Sequence, residues 1–257
     1  MKAYNKSAKY YDLIYRDKDY GIECDFLEEI FARFCKNKPR TLLDMACGTG
    51  NHAIELAKRG YHLTAIDSSP QMISIAMSKM KRWGLAINFK EMAMQEMKFD
   101  SKFDIIICMF SSIDYLVDYA DLKKVLSNVY AHLKKEGLFV FDFWSGFALY
   151  SSFSPTRVKI VENKGLKVIR VSNTVVKPIQ QLCEIDSHYI ILQEGQVIDE
   201  FREKHIKRFS FPLEMKNYLL DTGFEVRCIC PFLDLDRQVD DRDWYIAIVA
   251  QKRKTSP

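Results

Sequence analysis

The alternation of short apolar segments with amphipathic helices constrains the fold of this 257-residue chain more than any other feature. An apolar segment at 41–45 leads through a glycine-rich turn into a helix at 51–58, and a second at 63–66 leads into a helix that begins near Pro70. Further helices are predicted at 25–36 and 122–133, and further strands at 87–89, 103–109 and 138–143. This alternation is typical of right-handed crossovers and predicts a mostly parallel sheet covered by helices on both faces.

The pattern changes after Trp144. A serine-rich stretch at 151–155 predicts a surface connection. Turn signals then separate β-rich segments that we interpret as hairpins, at 158–162, 167–176, 183–193 and 196–211. A helix follows at 212–221, and two strands at 224–230 and 244–251 rejoin the main sheet. The sequence therefore predicts an α/β fold with a seven-stranded mixed sheet. It has one domain at 1–149 and 212–257 and an antiparallel insert at 150–211.

Composition and charge narrow the classes of partner. The 38 Lys and Arg residues balance 34 Asp and Glu residues along the chain, which argues against nucleic acid or an anionic membrane as a partner. Seven cysteines without a Cys-x-x-Cys pair, and no apolar leader or span, predict a cytoplasmic protein with reduced thiols. The five histidines lack metal-ligand spacing, so we expect no metal site and interpret the histidines as surface or helix-capping residues.

The segment at 42–53, LLDMACGTGNHA, carries the clearest functional signal. Small residues in a strand-to-helix turn let a ligand contact the backbone, and in α/β folds this turn is where nucleotides bind. Asp44 would repel a pyrophosphate but suits a ligand with an ammonium group. Asp67, at the end of the next strand, is placed to accept hydrogen bonds from both hydroxyls of a ribose. A nucleoside with a cationic amino-acid end fits both carboxylates.

The motif Asp44-x-Ala46-Cys47-Gly48-Thr49-Gly50, together with Asp67, resembles the class I S-adenosylmethionine-dependent methyltransferases, whose fold is Rossmann-like. The segments YDLIY at 11–15, KDY at 18–20 and CMFSSI-x-YL at 108–116 resemble the N,N-dimethyltransferases of nucleotide-linked amino sugars. The similarity extends over roughly residues 4–145. The tyrosines also suit such a cofactor on chemical grounds alone, because aromatic faces attract a sulfonium cation and phenolic hydroxyls bind a carboxylate.

The resemblance implies that S-adenosylmethionine is the cofactor. Ala46 and Gly48 would lie against its methionine part, Asp67 would hold its ribose, and Tyr11 and Tyr20 would cover the methionine end. The adenine pair of the family corresponds here to Ala93 and Met94, so the usual side-chain acceptor is missing unless Gln95 or Glu96 replaces it. The full set of expected cofactor contacts also includes residues beside these positions, namely Asp44, Ser68, Met72 and Met109.

For the reaction itself, the resemblance implies that Tyr4, Tyr115 and Asp142 lie at the acceptor. A histidine that the family carries after the fourth strand is not retained, and an unperturbed tyrosine, with a pKa of about 10, is a poor base near neutral pH. Methyl transfer to nitrogen depends mainly on holding an unprotonated amine in line with the methyl group and sulfur. Asp142 would anchor ammonium or hydroxyl groups of the acceptor.

We therefore expect a methyltransferase that N-methylates a small amine or amino sugar, with the insert covering the cleft and selecting the acceptor. A homodimer is left open. So are three other functions: an NAD-dependent oxidoreductase, which would share the glycine turn; a methyltransferase for an oxygen, carbon or RNA acceptor; and a protein that binds S-adenosylmethionine without catalysis. The absence of an Asn/Asp-Pro-Pro-aromatic motif at 109–112 argues against methylation of nucleic-acid bases.

Overall fold

The computed structural model describes residues 4–253, so the outermost ends of the predicted 1–149 and 212–257 ranges lie outside the described residues. The chain forms two sheets. Their strands are β1 (Thr41–Met45), β2 (His62–Asp67), β3 (Ile87–Glu91), β4 (Phe103–Cys108), β5 (Leu133–Trp144), β6 (Thr156–Asn163), β7 (Leu166–Lys177), β8 (Leu182–Gln193), β9 (Gln196–Arg208), β10 (Phe224–Pro231) and β11 (Tyr245–Lys252).

Helices connect and cover the strands. They are α1 (Tyr11–Ile14), α2 (Tyr20–Phe34), α3 (Asn51–Lys58), α4 (Pro70–Trp83), α5 (Tyr119–His132), α6 (Gly146–Ser152) and α7 (Pro212–Thr222). The seven-stranded mixed sheet with helices, and the separate antiparallel sheet, confirm the predicted fold class. Helix α6 extends through Ser152, so the predicted connection at 151–155 begins inside a helix, but four of its five residues are exposed, as expected of a surface segment. Within residues 4–253, none of the helices has the length and apolar character needed to cross a bilayer.

The order of the main sheet is β10-β11-β5-β4-β1-β2-β3. Strands β1 to β5 run parallel to one another, whereas β11 pairs antiparallel with both β5 and β10. Strand β2 lies beside β1 on one side, and β4, which comes later in the chain, lies beside β1 on the other side. The carboxyl ends of β1 and β4 therefore border a crevice, which is the usual ligand position in an open α/β sheet.

Strands β6 to β9, which we name the insert sheet, pair antiparallel in chain order. One end of its inner face is apolar, because Val168, Ile191 and Phe201 pack there against Tyr10 and Ile14 of the N-terminal segment. A bridge between Ser145 and Ser210 joins the end of the insert to the main sheet. These contacts place the N-terminal segment between the two sheets. The domain boundaries and the role of the insert as a cover stay predictions.

Candidate active site

The turn after β1 opens its backbone toward the crevice. Gly48 has a φ of +56°, and a Cβ added there would meet nothing within 4 Å, so this side of the turn is free for a ligand. Gly50 has a φ of +76°, and a Cβ there would lie 2.9 Å from the Phe89 ring. A side chain at Gly50 would therefore clash with β3 as well as strain the backbone.

A cavity, here named the turn cavity, lies at this point between the carboxyl ends of β1, β2 and β4. Twelve of the fourteen predicted site residues line it: Tyr4, Tyr11, Tyr20, Asp44, Ala46, Gly48, Asp67, Ser68, Met72, Met94, Met109 and Tyr115. Sequence reasoning missed other members of the lining, namely Cys47, Thr49, Asn51, His52, Phe110 and Ser112. The glycine turn and the strand ends thus meet at one edge of the sheet, as the α/β topology requires. Their position does not by itself assign a role to each residue.

Asp67 links β2 to the turn. Its Oδ2 accepts a hydrogen bond from the backbone N–H of Gly48 at 2.9 Å, and its Oδ1 accepts one from Ser69 at 2.8 Å. Burial raises the pKa of Asp67, while these two hydrogen bonds act in the opposite direction. Each carboxylate oxygen retains a second lone pair, so Asp67 can accept hydrogen bonds from a ligand without releasing the turn.

Asp44 lies deeper than Asp67. Its side chain is 1% exposed, and its Oδ2 has no hydrogen-bond partner among the described residues. Burial raises the pKa of Asp44 to about 7, with a further contribution from the charge of Asp67, whereas His52 lowers it. A buried carboxylate oxygen without a partner is costly, and a ligand ammonium group would satisfy it.

The N-terminal segment is fixed to both sides of the turn cavity. Asp12 accepts a hydrogen bond from the Thr49 hydroxyl at 2.6 Å and pairs with Lys79 at 2.8 Å. On the other side, Glu203 of β9 accepts hydrogen bonds from the backbone N–H of Lys6 at 2.7 Å and of Ser7 at 3.0 Å. The segment that carries Tyr4 and Tyr11 is therefore held to the glycine turn and to the insert sheet.

A second cavity, here named the insert cavity, adjoins the first. Tyr4, Phe110 and Tyr115 line both cavities and so form the wall between them. His205 of β9 reaches this wall, with its Nδ1 3.0 Å from the Tyr115 hydroxyl, which is 3.0 Å from the Tyr4 hydroxyl. Burial lowers the pKa of His205 to about 4, so its ring is neutral near pH 7.

The expectation of surface or helix-capping histidines is wrong for His52 and His205, which are 6% and 7% exposed. His52 lies within the first turn of α3, where its Nε2 is 2.6 Å from Glu23 of α2. His205 alternates with Glu203 and Lys207 on the buried face of β9. The period-two pattern of β9 could have signalled a buried histidine, but the sequence gives no sign that it meets Tyr115.

Two predicted site residues, Ala93 and Asp142, are outside both linings. Asp142 is 1% exposed, and its Oδ2 accepts hydrogen bonds from the Ser111 backbone at 2.9 Å and hydroxyl at 3.0 Å. Because Phe110 and Ser111 both have positive φ, this carboxylate supports a strained turn behind the wall. Among the predicted replacements for an adenine acceptor, neither Gln95 nor Glu96 lines the turn cavity.

Comparisons with known proteins agree with this geometry. The family model described as "Methyltransferase domain" matches residues 42–137, which include the glycine turn and Asp67. "Putative methyltransferase YqeM" of Bacillus subtilis is 30% identical over 217 residues, 83% of this chain and 85% of that protein. A dTDP-3-amino-3,6-dideoxy-alpha-D-glucopyranose N,N-dimethyltransferase of Streptomyces fradiae is 30% identical over 202 residues, 77% of this chain and 75% of that protein.

Other relatives match this chain over a smaller share of their own length. A Geobacillus protein, also named a putative methyltransferase, is 30% identical over 147 residues, which span 57% of this chain and 60% of that protein. A ubiquinone biosynthesis O-methyltransferase of Rickettsia prowazekii is 26% identical over 135 residues, 52% of this chain and 51% of that protein.

The whole fold also has a counterpart among solved structures. The crystal structure of an S-adenosylmethionine-dependent methyltransferase from Clostridium acetobutylicum superposes with a TM-score of 0.82 and 25% identity, covering 98% of this chain and 100% of that one. These matches also argue against an NAD-dependent oxidoreductase, the alternative function that would share the glycine turn. The chain belongs to the S-adenosylmethionine-dependent methyltransferases.

Proposed function

We propose that this enzyme methylates the nitrogen of a small amine, with amino sugars as the leading class of acceptor. The observation that carries the proposal is the shared wall of Tyr4, Phe110 and Tyr115 between the two cavities. A cofactor in the turn cavity and an acceptor in the insert cavity would meet there. The similarity to a protein named as an aminosugar N,N-dimethyltransferase over 77% of this chain supports nitrogen as the accepting atom.

In this proposal the turn cavity holds S-adenosylmethionine. The unpartnered Oδ2 of Asp44 suits the ammonium group, and Asp67 suits the ribose hydroxyls. The open side of Gly48, together with Ala46, leaves room for the methionine part, which Tyr11 and Tyr20 would cover. The remaining proposed contacts are Ser68, Met72, Met109 and, at the adenine, Met94. We retain Ala93 only as the neighbour that sets the position of Met94.

The bound cofactor supplies an electrophilic methyl group on a positively charged sulfur. The role of the protein is to present an unprotonated amine to this methyl group and to exclude water. The Tyr115 and Tyr4 hydroxyls can accept a hydrogen bond from an N–H of the amine at the wall, which leaves the lone pair of the nitrogen free to face the methyl group. His205, neutral near pH 7, holds the Tyr115 hydroxyl in place, and Asp142 keeps the turn at Phe110 and Ser111 in shape.

The acceptor class is tested by measuring release of S-adenosylhomocysteine from S-adenosylmethionine with a panel of amines, amino sugars and matched hydroxyl compounds. Each amine is compared with the analogue in which oxygen replaces nitrogen, for example glucosamine with glucose. Turnover with amines and not with their oxygen analogues supports the proposal. Turnover confined to phenols or alcohols would refute nitrogen as the acceptor, an outcome that the match to a ubiquinone O-methyltransferase makes worth testing.

A further inference from the structure

The inner face of the insert sheet changes character along its strands. Its apolar end packs against the N-terminal segment, but where the same face turns toward the insert cavity it is polar. Alternate residues of the three adjacent strands β7, β8 and β9 line the cavity there: Arg170, Ser172, Thr174, Ile185, Ser187, Tyr189, His205 and Lys207. A sheet face that only packed on a core would be apolar at these positions. This end of the face is therefore built for a polar ligand.

Arg170 carries a positive charge that no carboxylate balances among the described residues of the cavity lining. Its Nη1 donates a hydrogen bond to the Tyr15 hydroxyl at 2.9 Å, while its Nε is buried and has no partner among the described residues. The described residues that line the insert cavity include no Asp or Glu. A half-buried guanidinium held by phenol groups leaves donors free in the fork geometry that matches a carboxylate or phosphate.

Lys207 adds a second cation deeper in the same cavity. Its Nζ lies 3.7 Å from Asp114 and 4.3 Å from the centre of the Trp144 ring, and its side chain is 8% exposed. Asp114 also accepts a hydrogen bond from the Trp144 backbone, and burial raises the pKa of its carboxyl to about 8. The carboxyl groups of Asp114 and Asp142 thus both favour the charged form of Lys207, whereas among the described residues that line the cavity no carboxylate faces Arg170. Arg157, over the Trp244 ring at 4.9 Å, extends the positive charge to the rim.

We propose that the acceptor carries an anionic group, either a carboxylate or a phosphate, that Arg170 and Lys207 bind in the insert cavity. The Ser172 and Ser187 hydroxyls, 2.8 Å apart, are further donors on the same face. With its anionic group held at the insert sheet, the acceptor would extend its amine to the wall at Tyr115. This inference rests on the proposed function, because it assigns the insert cavity to the acceptor.

The test measures binding of inorganic phosphate and of acetate by calorimetry to the protein saturated with S-adenosylhomocysteine, at constant ionic strength set with chloride. Arg170→Gln is compared with the wild type and with Arg202→Gln. Arg202 is a matched control because it lies on β9 of the same sheet, is exposed on the opposite face and pairs with Asp186 at 3.1 Å. Arg170→Lys keeps the charge without the fork and serves as a second variant should the glutamine variant misfold.

At least one of the two anions is expected to bind the wild type and Arg202→Gln ten or more times more tightly than Arg170→Gln, with Arg170→Lys between them. Preference for phosphate identifies a phosphate ester, and preference for acetate a carboxylate. Equal binding to all variants, or no binding of either anion to the wild type, would overturn the inference. Saturation with S-adenosylhomocysteine is measured first, so failure of the cofactor site is recognised separately.

Discussion

The Nδ1 atom of His205 lies 3.0 Å from the hydroxyl of Tyr115, although 90 residues separate them in the chain. Tyr115 follows β4 of the main sheet, whereas His205 belongs to the insert sheet. The wall between the two cavities is thus completed by a residue from the other sheet. Docking of the insert sheet therefore determines how the tyrosine hydroxyls are oriented.

Replacement of His205 should change how stability depends on pH. Burial lowers the folded pKa of His205 to about 4, so between about pH 6.5 and 4 the unfolded chain binds a proton that the folded chain does not. This contribution to stability is present above pH 6.5 and is lost as pH falls. Relative to His205→Gln, the wild type should lose about 2 kcal/mol of unfolding free energy between pH 7 and pH 5.

Urea denaturation of both proteins at the two pH values measures this difference. His188→Gln is the matched control, since His188 lies on β8 of the same sheet and pairs with Glu200 on the outer face. A loss of equal size in His205→Gln and in the wild type would show that His205 does not stay neutral in the folded protein.

Asp44 should make cofactor binding depend on pH. Its pKa of about 7 means that the carboxyl group is largely protonated at pH 6, when it cannot pair with an ammonium group. The affinity for S-adenosylhomocysteine should rise about tenfold from pH 6 to pH 8 in the wild type. Asp44→Asn should bind more weakly and lose most of this rise. The same pH dependence in both proteins, measured by calorimetry, would remove Asp44 from the ammonium site.

Asp67 should contribute to affinity for the cofactor in addition to holding the glycine turn. Asp67→Ala should weaken binding of S-adenosylhomocysteine by about 1 to 3 kcal/mol, because charged hydrogen bonds to the ribose would be lost. Asp100→Ala, at an exposed position before β4, is the control. Dissociation constants measured together with thermal unfolding separate binding from stability. An unchanged constant for Asp67→Ala contradicts its role at the ribose.

Glu203 should slow the release of the cofactor. Its carboxylate holds the backbone of Lys6 and Ser7, so Glu203→Gln weakens the attachment of the segment that carries Tyr4 and Tyr11. Loss of charge at these hydrogen bonds is expected to speed release of S-adenosylhomocysteine by about three- to tenfold, equivalent to about 1 kcal/mol. Glu200→Gln, on the outer face of β9, leaves these contacts intact. Equal release rates in the two variants by stopped flow would exclude this attachment.

The main sheet and the turn cavity could be predicted from the sequence because both depend on local patterns. Strand β1 has the predicted bounds, and β2 and β4 differ from theirs by one residue at one or both ends. Strand order then follows from right-handed crossovers, which bring Asp44, Asp67 and Met109 to one edge. Strand β5 begins five residues earlier than the predicted Leu138, because Leu133 pairs with Phe103 across a bulge.

The insert cavity could not be predicted, because it depends on how two sheets and the N-terminal segment pack together. The alternation in β7 and β9 indicates which side chains share a face, but nothing local places Arg170 beside Tyr15 or His205 beside Tyr115. Asp142 shows the same limit: its position at the end of a strand could be predicted, but the hydrogen bonds that its Oδ2 accepts from Ser111 could not, and its contact with the acceptor stays a prediction.

The central claim is that the cleft between the carboxyl ends of β1 and β4 binds S-adenosylmethionine through Asp67 and Asp44. A crystal structure of the protein with S-adenosylhomocysteine measures this most directly. We predict that the ribose hydroxyls lie within about 3 Å of the Asp67 carboxylate and the amino group within about 3 Å of Asp44 Oδ2. Density for the nucleoside at any other place, or ribose hydroxyls out of reach of Asp67, would contradict the account.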